Sequence, residues 1–118
     1  MRGRAALAML LLAGAATAPV LAPAWAQQHE GNARTGRRLA AGVCSSCHGR
    51  DGIATLPEAP NLAGQNPGYV AAQLRAYREG KRENELMNVV AKDLTDQQIA
   101  DLAAWYASIE VTATIPGS

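Results

Sequence analysis

Between Asn32 and Cys47, Gly36, Leu39, Ala40 and Val43 fall at i, i+3, i+4 and i+7, while Arg34, Arg37 and Arg38 lie on the other side. That period predicts an amphipathic helix over about 32–47, and the small Gly36 on its buried stripe leaves room for a second helix to come close. Residues 49–65 carry Gly49, Gly52, Pro57, Pro60 and Gly64, a density of breakers that predicts a loop. A loop of that length in a small domain is usually functional or disordered. The next helix is marked by Asn66 as cap, Pro67 in the first turn and Gly80 at the end. Its apolar side is Tyr69, Val70, Leu74 and Tyr77. A short helix or turn follows with Leu86, Met87, Val89 and Val90. Thr95 and Gln98 match a capping box and open a last helix with Ile99, Leu102, Ala103 and Tyr106 on its stripe, fading near Ser108. No stretch reads convincingly as a strand, so the expected class is all-α, with three main helices and a short fourth.

Composition narrows this further. The 118 residues suffice for one small domain. Arg2 and Arg4, the uncharged run Ala5–Ala18 and the small-x-small site Ala24-Trp25-Ala26 match a secretory signal peptide, expected to span residues 1–26 and to be removed. The run is too short for a membrane anchor. Residues 27–118 then form a single domain with its core at about 32–109. Without Arg2 and Arg4 the chain has 9 basic against 10 acidic residues, a net −1 that gives no reason to expect a nucleic-acid partner. Beyond residue 26 there is no Phe and one Trp, Trp105. So few large apolar groups make a marginal core, and a disulfide, metal or cofactor is expected to complete it.

The candidate chemistry sits in Cys44-Ser45-Ser46-Cys47-His48, which holds both cysteines of the chain. Four readings compete. A disulfide between Cys44 and Cys47 would close a loop too small to stabilise much and leaves His48 unexplained. A redox dithiol belongs at a strand end in a βαβ unit, whereas the flanks here are helical. Closed structural zinc needs four ligands, and the only further Cys or His is His29, near the expected new terminus. CxxCH as a haem attachment site accounts for all three residues: two thiols on one turn reach the two vinyl groups of a porphyrin edge, and the following imidazole can bind the iron. One haem c, held covalently, is the expected cofactor. For the second axial position the chain beyond residue 26 offers one methionine, Met87. Its alternative role is plain core packing, and His29 is the weaker alternative ligand.

"GRRLAAGVCSSCHGRDG", "APNLAGQNPGYVAAQLRAYREGKR" and "ELMNVVAKDLTDQQIADLAAWYASI" together resemble the class I c-type cytochromes, the small soluble bacterial kind. The middle and last of these stretches are also similar to each half of certain dihaem periplasmic cytochromes. The resemblance implies the cytochrome c fold around one haem, with thioethers at Cys44 and Cys47, His48 as proximal and Met87 as distal ligand, and Pro60 accepting a hydrogen bond from the axial histidine. It places Gly36 and Trp105 where the first and last helices cross, with Tyr106 partly buried. Tyr69, Gln65 and Arg82 are candidates around the haem edge or its propionates, with plain packing or surface roles as the alternative. It further implies a periplasmic electron carrier, not an enzyme, since both axial positions of the iron are filled. Expected partners are transient redox proteins, met near the exposed haem edge, where Arg34, Arg37, Arg38 and Arg50 could form a local patch. The chain is expected to be a monomer without a membrane span after cleavage. The alternative is a dedicated haem-bearing subunit of a periplasmic dehydrogenase or oxidase. The haem-free chain is expected to fold poorly.

Overall fold

In a computed structural model of the chain, residues 30–117 are described; the expected signal peptide and His29 lie outside them. Five helical segments follow in order: α1 (Ala33–Val43), α2 (Ser45–His48), α3 (Pro67–Arg78), α4 (Glu85–Ala91) and α5 (Asp96–Ala107). No strand occurs among the described residues. The arrangement is all-α, and α1, α3 and α5 are the three long elements.

Local chemistry explains each start. The Asn32 side chain accepts from Thr35 N, Asn66 from Tyr69 N, and Asn84 from Leu86 N and Met87 N. Each satisfies an amide that the first helical turn leaves without a partner. At α5 both halves of the capping box form, Gln98 N donating to Thr95 Oγ1 and Thr95 N to Gln98 Oε1. Gly80, at φ +71°, takes the chain out of α3 beyond its cap Glu79. The single helix expected over 32–47 is divided at Cys44 into α1 and α2, although Cys44 N still donates to Ala40 O and His48 N to Cys44 O.

α1 and α5 cross at very short range because of Gly36. A methyl group added there would lie 1.9 Å from the Asp101 carbonyl oxygen and 2.9 Å from Trp105 Cβ. The buried Asp101 carboxylate ties the same junction, accepting from Asn32 N at 2.7 Å and from Gln97 Nε2 at 3.0 Å. The core proper is Ala40, Ala91, Leu94, Ile99, Leu102 and Tyr106. Tyr106 is 2 % exposed. The partial burial expected of it is therefore corrected: its ring is fully inside, while Trp105 is half-buried at the crossing under the Arg37 guanidinium, 5.4 Å from the ring centre. The buried face of α5 carries Ile99, Leu102, Ala103 and Tyr106, the stripe expected from the helical period, and Trp105 stands beside Gly36, where the resemblance puts it.

The long loop 49–65 has no helix but many ties. Leu62 N and Ala63 N donate to Gly52 O, Thr55 N to Cys47 O, Ala54 N to Asn61 Oδ1, and Gly64 N to Tyr106 O. Gly52 sits at φ +78°, a conformation natural only to glycine. This network folds the loop back under α2.

Candidate functional site

The helices enclose a cavity of about 240 Å³. Protein interiors are otherwise close-packed, so a space this large, against roughly 30 Å³ for a water molecule, is a ligand site rather than a packing fault. Its walls come from every part of the fold: Val43, Cys44, Cys47 and His48 from the α1–α2 corner, Pro60 and Leu62 from the loop, Val70, Leu74 and Tyr77 from α3, Met87 and Val90 from α4, and Leu102 and Tyr106 from α5. Most of that lining is apolar. All five residues singled out by sequence, Cys44, Cys47, His48, Pro60 and Met87, line this one space, as do Tyr69, Gln65 and Arg82.

His48 is 7 % exposed, and its Nδ1 lies 2.8 Å from the Pro60 carbonyl oxygen. A carbonyl oxygen has no proton to give, so Nδ1 carries the hydrogen and donates it. Nε2 of the neutral ring then keeps a free lone pair, the form in which imidazole binds a metal. The contact exists because Gly52 and Asn61 hold the loop in its folded-back path. Pro60 contributes through its carbonyl, a group every residue carries.

The two cysteines are free thiols, both half-buried. Burial pushes the Cys44 thiol above its ordinary value; nearby Cys47 adds to the rise and Tyr106 opposes it. Among the described residues no three His, Cys, Asp or Glu side chains converge on a point that would hold a metal ion. Met87 is held by its surroundings: its amide is capped by Asn84, and Asn88 beside it donates to Tyr77 O at 2.7 Å and Arg82 O at 2.9 Å. At one side of the cavity the Arg82 guanidinium stacks on Tyr77, 4.7 Å from the ring centre, and donates to Gln73 Oε1.

The donor set suits an iron porphyrin. Two thiols stand at the edge of an apolar space, a neutral imidazole nitrogen is available and a soft thioether lines the same walls. A haem would also convert that space into core, which the small aromatic content otherwise leaves thin. Sequence reasoning missed the supports: Asn84 was legible as a residue able to cap a helix, but the back-bonds of Asn88 join residues 6 and 11 positions apart and follow no local period.

Comparison with known proteins points the same way. Residues 31–105 match the family described as cytochrome c oxidase, cbb3-type, subunit III. The chain is 45 % identical over 78 residues to cytochrome c4 of Thiocapsa roseopersicina, covering 66 % of this chain and 40 % of that one. It is 44 % identical over 72 residues to cytochrome c-554(548) of Halomonas halodenitrificans, covering 58 % of this chain and 87 % of the relative. Among solved structures, Acidithiobacillus ferrooxidans cytochrome c4 superimposes with a TM-score of 0.61 at 38 % identity, over 70 % of this chain and 51 % of that one. The chain thus spans two fifths of one relative, about half of the solved structure and nearly all of the shorter cytochrome.

Proposed function

This chain belongs to the class I c-type cytochromes, electron-transfer proteins that carry haem c, and on that premise we propose that it is a periplasmic one-electron carrier with a single haem, joined through Cys44 and Cys47 and ligated by His48 and Met87. The observation that carries this reading is the 2.8 Å contact from His48 Nδ1 to Pro60 O, in a cavity that Cys44, Cys47 and Met87 also line. It leaves Nε2 as the free donor and holds the ring from behind. Such a contact raises the basicity of a ligating imidazole. The Met87 thioether is a soft donor that favours Fe(II) over Fe(III) and so raises the potential. The bound haem supplies the Fe(II)/Fe(III) couple; the chain supplies ligands, covalent retention and an apolar surround that excludes water. Residues 1–26 would direct export as a cleaved leader.

A second reading, a dedicated subunit of a larger oxidoreductase, is favoured by one feature. Val43, Tyr69 and Leu86 line the cavity yet are 45 %, 51 % and 68 % exposed, which gives its mouth an apolar rim suited to a standing partner. Isolation of the native protein distinguishes the two: the carrier elutes alone as a monomer, the subunit elutes with its partner.

The ligation is tested by the spectrum of the oxidised protein made with a haem-maturation system. The wild type is expected to show the weak long-wavelength band of methionine bound to Fe(III), and Met87→Ala to lose it and to lower the potential. A band that survives in Met87→Ala would remove Met87 as the ligand.

A further inference from the structure

Tyr106 has no part in the ligation above, yet its hydroxyl is the most costly polar group in the cavity wall. The residue is 2 % exposed, and its Oη is buried without a hydrogen-bond partner among the described residues. A buried hydroxyl left in that state keeps its desolvation cost uncompensated, whereas phenylalanine would fill the same space without that cost. The hydroxyl therefore points to an acceptor that becomes available when the cavity is filled. Gly52, which packs beside the Tyr106 ring, has its carbonyl oxygen already engaged by two donors, Leu62 N and Ala63 N. An acceptor at hand is the Cys44 sulfur, which lines the same cavity and packs against the core cluster that contains Tyr106. As a free thiol it carries its own hydrogen. As a thioether it has only lone pairs to offer.

We infer that Tyr106 donates its hydroxyl hydrogen to the Cys44 sulfur once that sulfur is a thioether, and thereby raises the reduction potential of the haem. The inference rests on the attachment proposed above. Burial, and secondarily Cys44, hold the phenol well above its ordinary pKa, so the hydrogen is present throughout the working pH range. A donor on the sulfur withdraws electron density from the ring it joins, and the buried O–H dipole turns its positive end the same way; both disfavour Fe(III).

The test compares wild type, Tyr106→Phe and Tyr106→Leu, each as holoprotein, by potentiometry and by resonance Raman of the thioether C–S stretch. Tyr106→Phe is expected to retain covalent haem, to have a lower potential and to shift the C–S mode. An unchanged potential in Tyr106→Phe, with change only in Tyr106→Leu, would reduce Tyr106 to a packing residue and overturn the inference. A lower potential with an unmoved C–S mode would place the acceptor elsewhere and overturn it as well. A wild-type chain that takes up no covalent haem would overturn the attachment reading, and this inference with it.

Discussion

At the scale of single residues, the site depends on where one carbonyl oxygen is held. His48 can present Nε2 to a metal only if Nδ1 has an acceptor, and that acceptor is Pro60 O. The carbonyl is placed by a loop whose sharpest constraint is Gly52, at φ +78° with room for a hydrogen only: a methyl group there would lie 2.7 Å from Ala63 N. Gly52→Ala combines an unfavourable backbone region with a backbone clash, and should cost about 2 kcal/mol or more. Denaturant unfolding of the holoprotein measures that loss. A variant as stable as wild type would mean that the loop does not need its observed path. Cys44, Cys47 and His48 were legible as members of one site because CxxCH joins three chemistries in five positions, and all three line the cavity. Met87 was legible because it is the only methionine beyond the expected leader. Pro60 was legible only through resemblance, since its role belongs to its backbone and its side chain says nothing of it. The helical period put Tyr106 on the buried stripe of α5, and the structure agrees; it was read as only partly buried because the resemblance brings its neighbour Trp105 to the crossing.

At the scale of elements, the α1–α5 crossing organises the fold, and Gly36 decides it. Alanine is favoured over glycine within a helix by about 1 kcal/mol. Against that gain stands a Cβ only 1.9 Å from the Asp101 oxygen, on backbone that cannot step aside as a flexible side chain would. The clash should win: Gly36→Ala is expected to lose about 3 kcal/mol, the upper range for overpacking, seen as a lower thermal midpoint. α3 and α5 are joined at their ends by Arg78, which donates to Leu94 O and to Asp96 Oδ1, both at 2.8 Å. The Arg78 hydrogen bond, reinforced by its charge, holds the Asp96 carboxyl below its ordinary value of 3.8. A depressed carboxyl stabilises the fold above its unfolded pKa, and that contribution is lost as the pH falls through the folded value. Asp96 is exposed, so the effect is small and weakened by salt. Asp96→Asn should lower stability slightly near neutrality and flatten its fall below pH 3.8; an unchanged acid limb would leave the pair without energetic weight. Helix starts were legible because caps are local chemistry. The division of the first helix at Cys44 was not, because nothing in its apolar spacing marks a break there.

At the scale of the whole molecule, α1 and α5 close on each other, and the five segments together surround a cavity. The small aromatic content and the central space agree: the helices leave room that a bound group would fill. On the proposed ligation, the apolar walls and the Met87 thioether would favour the reduced state, and the exposed Val43, Tyr69 and Leu86 would border the site where a partner meets it. The fold class was legible from helical periods alone. The cavity was legible only as a deficit, because its walls come from five segments far apart in sequence. The central claim is that this chain carries one electron on one haem. It is tested most directly by an optical redox titration of the purified holoprotein. The account expects a single reversible transition with the slope of a one-electron couple, about 59 mV per tenfold change in ratio. Two resolved transitions, or no reversible transition, would contradict it.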